Sequence, residues 1–248
     1  MRFGISTLIY NLEDALKICN KVKDINHIEI GIDNISQCRD LYLFKKRIED
    51  MNLSIGIHLP MELNTCENIE FIRKKWVEFI TIINNELSEF NIKYFNLHLG
   101  YVITSRLENN RNKYLDNSIK FLKEASLYID QNISIENVYT KYGDYSNVGN
   151  LASDFEYIFS RLENNISFCY DTGHDLINKS NYLEKLQNKI SVIHLSDNNG
   201  TEDTHVGIGR GVLSKETIRK VLSLNAEYLV LEIGHEYVEE TIKIINLL

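Results

Sequence analysis

The chain has 248 residues, of which 44% are hydrophobic and 25% are charged, and its formal net charge is −8. These values exclude a disordered chain, a collagen-like chain and a coiled coil as descriptions of the whole sequence, and the negative charge argues against a large basic surface for nucleic acid. The length allows one large domain or two small ones.

Short runs rich in Ile, Val, Phe and Tyr recur along the chain and are typical of buried strands. Eight strands are predicted: Arg2–Ser6, His27–Gly31, Ser54–His58, Tyr94–His98, Ile133–Glu136, Ser167–Asp171, Val192–Leu195 and Tyr228–Glu232. Apolar residues at helical spacing between them predict helices around Leu12–Val22, Phe71–Ile83, Leu115–Ala125, Ile218–Leu222 and Val238–Ile245. We expect Asn11 to cap the first of these helices.

Alternation of strands and helices indicates parallel βαβ units. Eight units in about 250 residues predict an α/β fold, a single (β/α)8 TIM barrel domain covering residues 1–248. A doubly wound open sheet is the alternative, but it requires a glycine-rich loop after an early strand. Gly4 and Gly31 stand alone, and the cluster Gly207–Gly211 comes late in the chain.

The four cysteines lie far apart, without a Cys-x-x-Cys pair: Cys19, Cys38, Cys66 and Cys169. A disulfide framework is therefore not expected. The sequence begins directly with a strand-like run, and its apolar stretches are shorter than the roughly 18 residues of a membrane span. We expect a cytoplasmic protein without a membrane partner.

Imidazoles and carboxylates stand at the ends of six consecutive predicted strands: His58, His98, Glu136, Asp171, His194 and Glu232. In a TIM barrel the carboxyl ends of the strands form the active site. These side chains are ligand types for zinc, manganese, cobalt or iron. Their common position therefore predicts a metal centre at one rim of the barrel.

The loop after the seventh strand carries Asp203 and His205, which share one side of an extended segment. His174, three residues beyond Asp171, is expected to reach the same ion. Each of these patterns also has an ordinary structural explanation, such as a helix cap at Asp171, and it is their coincidence that favours a site. His27 falls at the amino end of its strand, where a role in stability is expected, and His235 is expected at the surface.

Several short motifs occur in the order typical of a known superfamily: Ile57-His58-Leu59-Pro60, Leu97-His98-Leu99-Gly100, Glu136-Asn137, Asp171-Thr172-Gly173-His174, and His194 to Asp197 running on to Asp203–Gly209. The whole chain resembles the xylose isomerase-like barrel superfamily. That superfamily contains isomerases and epimerases of sugars and sugar phosphates, and also the endonuclease IV branch of apurinic endonucleases.

The resemblance implies one to three divalent ions in three groups of ligands. They are Glu136, Asp171, His194 and Glu232; His58 and His98 with a bridging Glu136; and His174, Asp203 and His205. In the isomerase branch, the resemblance implies instead that Glu136 and Glu232 form an acid/base pair and that His174 contacts the sugar.

The leading interpretation is a metal-dependent isomerase or epimerase of a sugar or sugar phosphate, with a metal-stabilised enediolate. Arg210 is a candidate substrate contact there, and Glu29 on the second strand is typical of this branch. The alternative is a trinuclear zinc phosphodiesterase similar to endonuclease IV, and a metal-binding barrel without catalysis is a third.

The loops argue against duplex DNA as a partner, because DNA affinity requires several Lys or Arg contacts to phosphates. The loop after the second predicted strand has none, and later loops offer only Arg106, Arg111 and Lys141. We therefore expect a small-molecule substrate, and the resemblance makes a homodimer possible.

Overall fold

The computed structural model describes residues 1–162 and 165–248. Its strands are β1 (Arg2–Leu8), β2 (Ile25–Gly31), β3 (Ser54–His58), β4 (Ile92–His98), β5 (Tyr101–Ile103), β6 (Asn132–Glu136), β7 (Tyr145–Asn147), β8 (Ile166–Asp171), β9 (Ile190–Leu195) and β10 (Tyr228–Leu231). Eight of them pair in parallel and close into a barrel in the order β1-β10-β9-β8-β6-β4-β3-β2. The predicted barrel is thus confirmed, and each predicted strand is found to within two residues at either end.

The helices surround the barrel: α1 (Leu12–Lys21), α2 (Ser36–Tyr42), α3 (Lys45–Asp50), α4 (Glu70–Glu86), α5 (Thr104–Ala125), α6 (Ala152–Phe159), α7 (Thr172–Ile177), α8 (Tyr182–Leu186), α9 (Lys215–Leu222) and α10 (Val238–Ile245). The sequence missed α2, α3, α6, α7 and α8, which are short. It also missed the antiparallel pair of β5 and β7, which lies outside the barrel. Within the described ranges, no helix is both long enough and apolar enough to cross a membrane.

Two local expectations were wrong. Asn11 precedes α1, but its side chain makes no capping hydrogen bond, because a short 3-10 helix over Ile9–Asn11 runs directly into α1. Phe71 lies in α4 but is 70% exposed. It points away from the face that buries Val77 and Ile80, since at 100° per residue it lies about a third of a turn from Val77 and half a turn from Ile80.

Alternating side chains of the barrel strands have opposite environments. Outward side chains such as Ile30, Phe95 and Leu195 belong to the main hydrophobic core, which lies between the barrel and the helices. Inward side chains are largely polar, with a small separate apolar cluster that includes Val192 and Val230. The interior of the barrel is therefore where polar chemistry is concentrated, and its carboxyl-terminal end carries the predicted ligands.

Candidate metal centre

Four predicted ligands from neighbouring strands meet at the carboxyl end of the barrel: Glu136, Asp171, His194 and Glu232. One ligand atom of each lies within 4.8 Å of the others. Nδ1 of His194 is 2.9 Å from Oε2 of Glu232 and 3.4 Å from Oε2 of Glu136. The strand register accounts for this, because Asp171 pairs with His194 across β8 and β9. We call these four side chains the central group.

A second group, His58, His98 and Glu136, adjoins the central group. Nε2 of His58 is 3.4 Å from Oε2 of Glu136, and Nε2 of His98 is 3.3 Å from its Oε1. Nδ1 of His58 lies 2.8 Å from the carbonyl oxygen of Leu59, which can only accept. In the neutral ring Nδ1 therefore carries the proton, and Nε2 presents its lone pair to the group. Glu136 is shared between the two groups, as a bridging ligand would be.

A third group is formed by His174, Asp203 and His205. Nε2 of His174 and Nε2 of His205 lie 3.2 Å and 3.1 Å from the same oxygen of Asp203. Each imidazole again directs Nδ1 at a backbone carbonyl 2.8 Å away, that of Asn137 and that of Glu232 respectively. His205 has a φ of 47°, a costly conformation for a non-glycine residue, and such strain is concentrated at functional sites.

The residues fit a bound divalent cation. Among the described residues, eleven buried side-chain nitrogen or oxygen atoms have no hydrogen-bond partner. Six belong to predicted ligands: Nε2 of His98, Oε1 of Glu136, Oδ2 of Asp171, Nδ1 of His194, Oδ1 of Asp203 and Oε2 of Glu232. Two ligands at about 2.0–2.1 Å from one ion, at 90–110° to each other, lie roughly 2.9–3.4 Å apart. In the central group, the unpartnered Nδ1 of His194 and Oε2 of Glu232 are 2.9 Å apart, within that range, whereas Oδ2 of Asp171 is 3.9 Å from the same nitrogen.

The charges of these groups are strongly coupled. Burial opposes ionisation of Glu136, but the imidazoles of His194 and His98 hold its pKa well below the usual range. Burial, together with the carboxylates of Glu232 and Glu136, raises the pKa of Asp171 to about 8. Burial favours neutral His58, yet Glu136 raises its pKa to about 9. Without a cation the centre therefore retains protons, which a bound metal ion would displace.

Cys169 also lies close to Glu136 and His194. Burial raises the pKa of its thiol well above the usual range, so the thiol stays protonated. Cys169 also belongs to the inward apolar cluster with Val192 and Val230, and the sequence did not predict it as a ligand, so we leave it out of the ligand groups.

Hydrogen bonds from other polar side chains of the barrel wall were not predicted from the sequence, although they hold the ligands in place. Asn96 Nδ2 donates to Glu136, and Asn137 forms two hydrogen bonds with the backbone of Asp171, at 2.8 and 3.0 Å. Asp171 also caps α7 by accepting from the backbone N–H of His174, so the capping and ligand roles coexist on different oxygens. The available signal was the position of Asn96, two residues before His98 and thus on the same face of β4.

The loop that carries Asp203 and His205 is held by Asp197. Its carboxylate accepts hydrogen bonds from the backbone N–H groups of Gly209, Gly211 and Leu213, at 2.8–3.1 Å. The glycine cluster noted in the sequence thus lets the backbone wrap around a buried carboxylate.

The centre lies in a pocket of about 630 Å³, whose lining includes five imidazoles: His58, His98, His174, His205 and His235. Among the described residues that line it, none is Lys or Arg, whereas Asp14, Asp33 and other carboxylates are present. A second cleft of about 390 Å³ shares His98, His174 and Asp203 with this pocket. It is lined mainly by β5, β7 and the segment before β7, with the side chains Tyr101, Tyr139, Lys141, Tyr142 and Tyr145.

Three other residues named from the sequence, Arg210, Arg111 and His235, are not among the ligand groups. Arg210 pairs with Glu240 at 2.6 Å and lies over the ring of Tyr237, so the structure does not bring it into the pocket. Arg111 forms an ion pair with the buried Asp154 at 2.6 Å, which commits it to a structural contact. His235, expected at the surface, lines the pocket.

Comparison with known proteins agrees with this architecture. The chain is 26% identical over 256 residues to the uncharacterised protein MJ1614 of Methanocaldococcus jannaschii, which covers 97% of this chain and 95% of that protein. It is 28% identical over 215 residues to a probable endonuclease 4 of Thermosipho melanesiensis, which covers 73% and 74%. A solved structure of a D-tagatose 3-epimerase-like protein superposes over 100% of this chain and 99% of its own, with a TM-score of 0.82 and 23% identity.

The family described as xylose isomerase-like TIM barrel matches residues 36–246. Together with the closed eight-stranded barrel, this match shows that the chain belongs to the xylose isomerase-like TIM barrel family.

Proposed function

We propose that this protein is a polynuclear metal-dependent phosphodiesterase acting on a small or single-stranded substrate. The observation that carries the proposal is the presence of all three ligand groups, with Glu136 shared and with Nε2 of His58, His174 and His205 already directed inward. Divalent ions held there would lower the pKa of water and neutralise the phosphate oxygens.

The charge of the centre supports this choice. Three divalent ions would carry six positive charges. The carboxylates of the ligands Glu136, Asp171, Asp203 and Glu232 and that of Glu29, which contacts His194, carry five negative charges, so a surplus of one remains. Such a surplus suits a phosphodiester anion even though no Lys or Arg is among the described residues of the pocket lining. A single ion in the central group would leave the centre negative instead, which suits a neutral polyol.

Residues around the metal ions would contact and orient the substrate. Asp203, 14% exposed in its side chain, and Glu232, 22% exposed, are more accessible than Glu136, which is 1% exposed, so they face the incoming substrate. The second cleft offers the rings of Tyr139 and Tyr142 beside the centre, and Lys141 as a cation. Aromatic rings with a nearby cation are typical platforms for unpaired bases, so a nucleotide flanking the scissile phosphate would fit there.

A second candidate is the isomerase or epimerase that the sequence favoured. The acidic lining of the pocket supports it, because a neutral sugar needs no cation other than the metal ion. In that reaction Glu136 and Glu232 would exchange a proton with substrate carbon from opposite sides. Their ligand atoms lie within 4.8 Å of each other.

One experiment separates the two candidates. Zinc-loaded protein is incubated with bis(p-nitrophenyl) phosphate, with single-stranded and duplex oligonucleotides that contain one abasic site, and, in D2O, with neutral ketoses. We expect metal-dependent hydrolysis of the phosphodiester and of the single strand. Cleavage of the duplex is expected to stay at trace level even at low salt, because few basic side chains are free to hold it.

The double variant His58→Asn/His205→Asn keeps the central group but removes one imidazole from each outer group. We expect its hydrolysis to fall at least 100-fold, whereas the control Glu240→Gln, which removes a carboxylate that pairs with Arg210 outside the pocket, retains activity. Deuterium incorporation into a ketose that persists in the double variant, with no hydrolysis by the wild type, would overturn the proposal and establish the second candidate.

A further inference from the structure

A chain of buried polar side chains runs through the barrel below the metal centre. Ser54 Oγ lies 2.9 Å from Nδ1 of His27, and Nε2 of His27 lies 3.0 Å from the hydroxyl of Tyr94. That hydroxyl donates to Oε2 of Glu29 at 2.6 Å. Glu29 in turn lies 2.9 Å (Oε1) and 3.1 Å (Oε2) from Nε2 of His194, a member of the central group.

The protons of this chain have one consistent arrangement. Because the Tyr94 hydroxyl donates to Glu29, its oxygen accepts from Nε2–H of His27. Burial lowers the pKa of His27 to about 3, so the ring is neutral and its Nδ1 accepts from Ser54. Glu29 therefore receives hydrogen bonds from both sides, from Tyr94 below and from Nε2–H of His194 above.

The barrel wall leaves room for these rings. A Cβ atom on Gly56 would lie 2.4 Å from Cζ of Tyr94, and one on Gly4 would lie 2.8 Å from Cδ2 of His27. Both separations are too short for real atoms, so glycine at these two strand positions is what allows the rings to reach the axis. The polar side chains and the glycines that make room for them thus lie on β1 and β2, which carry no predicted ligand, and on β3 and β4, which end in His58 and His98.

We propose that Glu29 is the positioning residue of the metal centre, holding His194 with its proton on Nε2 and its Nδ1 lone pair directed at the central group, and that Tyr94 and His27 hold Glu29 from below. A ligating histidine commonly donates its second N–H to a carboxylate, which fixes the ring and raises its basicity. The inference rests on the metal centre of the proposed function and not on the reaction.

Replacement of Glu29 by Gln has a specific expected consequence. The hydroxyl of Tyr94 needs an acceptor at the position of Oε2, so the amide oxygen takes that place and the NH2 group replaces Oε1, which lies 2.9 Å from Nε2 of His194. An amide NH2 donates, so Nε2 would become the acceptor and the imidazole proton would move to Nδ1, where it blocks the ligand position.

The test compares Glu29→Gln and Tyr94→Phe with Tyr228→Phe. Tyr228 is the matched control, because its ring packs beside the same two rings inside the barrel. Its centroid lies 4.5 Å from that of His27 and 5.1 Å from that of Tyr94. Among the described residues, its hydroxyl is not part of the hydrogen-bonded chain. Zinc affinity is measured by competition with a chromophoric chelator, and the protonation of His194 by ¹⁵N NMR of histidine-labelled protein.

We expect Glu29→Gln to weaken zinc binding about 10- to 100-fold and to move the His194 proton from Nε2 to Nδ1. For Tyr94→Phe we expect a loss of roughly 10-fold with the proton still on Nε2, and Tyr228→Phe should bind zinc as the wild type does. If Glu29→Gln does not fold, the comparison of the two Tyr→Phe variants decides the matter.

Equal zinc affinity in Glu29→Gln and the wild type, with Nε2 still protonated, would overturn the proposal, and so would equal losses in the two Tyr→Phe variants. Failure of the proposed function has a different signature. The wild type would then bind zinc without hydrolysing a phosphodiester, while zinc affinity and the NMR spectrum would still report the effect of Glu29→Gln on His194.

Discussion

Glu136→Gln is the most informative change at the metal centre, because one carboxylate serves two ligand groups. Its Oε2 lies 3.4 Å from His58 Nε2 and from His194 Nδ1, and its Oε1 lies 3.3 Å from His98 Nε2. The amide is neutral and a poorer ligand, so both ions that share Glu136 lose a charged oxygen. The third group, which includes Asp203, contains no atom of Glu136.

The expected magnitude follows from that sharing. Removal of partners that only orient a ligand already weakens metal binding 10- to 100-fold, so loss of the bridging ligand itself is expected to exceed about 100-fold, or roughly 2.7 kcal/mol, at each of the two sites. After loading with zinc and desalting, the wild type should hold close to three ions per chain and Glu136→Gln close to one.

Elemental analysis of the desalted protein measures this content, and circular dichroism verifies that the variant is folded. The reasoning is refuted if folded Glu136→Gln retains the metal content and affinity of the wild type. A wild-type content of one ion would instead favour the isomerase, because the outer groups would then be free to hold a sugar.

Three further outcomes are expected. His58→Asn and His205→Asn should each lower the zinc content by one ion, and an unchanged content by elemental analysis would remove that residue from the ligand set. Gly211→Ala places a Cβ atom 2.1 Å from the carbonyl oxygen of Asn198, so we expect about 1–3 kcal/mol of destabilisation in urea unfolding; a change below about 0.5 kcal/mol would contradict the reported packing. Finally, the folded pKa of His27, about 3, lies below its unfolded value near 6.5. As the pH falls through that window, only the unfolded chain takes up the proton, so stability of the metal-free protein should fall about 1.4 kcal/mol per pH unit more steeply than in His27→Gln; parallel curves would show that His27 is not held neutral.

The sequence predicted the barrel and its rim because both depend on local alternation. Outward positions of the strands are apolar, as in Ile55 and Ile57, while inward positions end in His58 or Glu136. A period of two assigns each residue to a face without knowledge of its neighbours. The ends of parallel strands then meet at one rim, so six ligand candidates were identified from strand ends alone.

Tertiary structure decided what each side chain does at that rim. Nothing local specifies that Nδ1 of His205 meets the carbonyl oxygen of Glu232, 27 residues away, or that Arg111 is committed to Asp154. These contacts determine which nitrogen faces the centre and which cations are free to meet a substrate.

The hydrogen bonds among the buried polar side chains below the metal centre could not be predicted from the sequence either. Glu29 contacts Tyr94 across 65 residues and His194 across 165 residues. His194 was predicted as a ligand from the end of its strand, but Glu29 and Tyr94 lie on other strands among further polar residues. Their role in the metal centre follows only when closure of the barrel brings β2, β4 and β9 around one axis. The sequence by itself thus determined the fold and the set of ligand types, whereas long-range packing decided their orientation, because the direction of a buried polar atom depends on partners that the chain supplies from other strands.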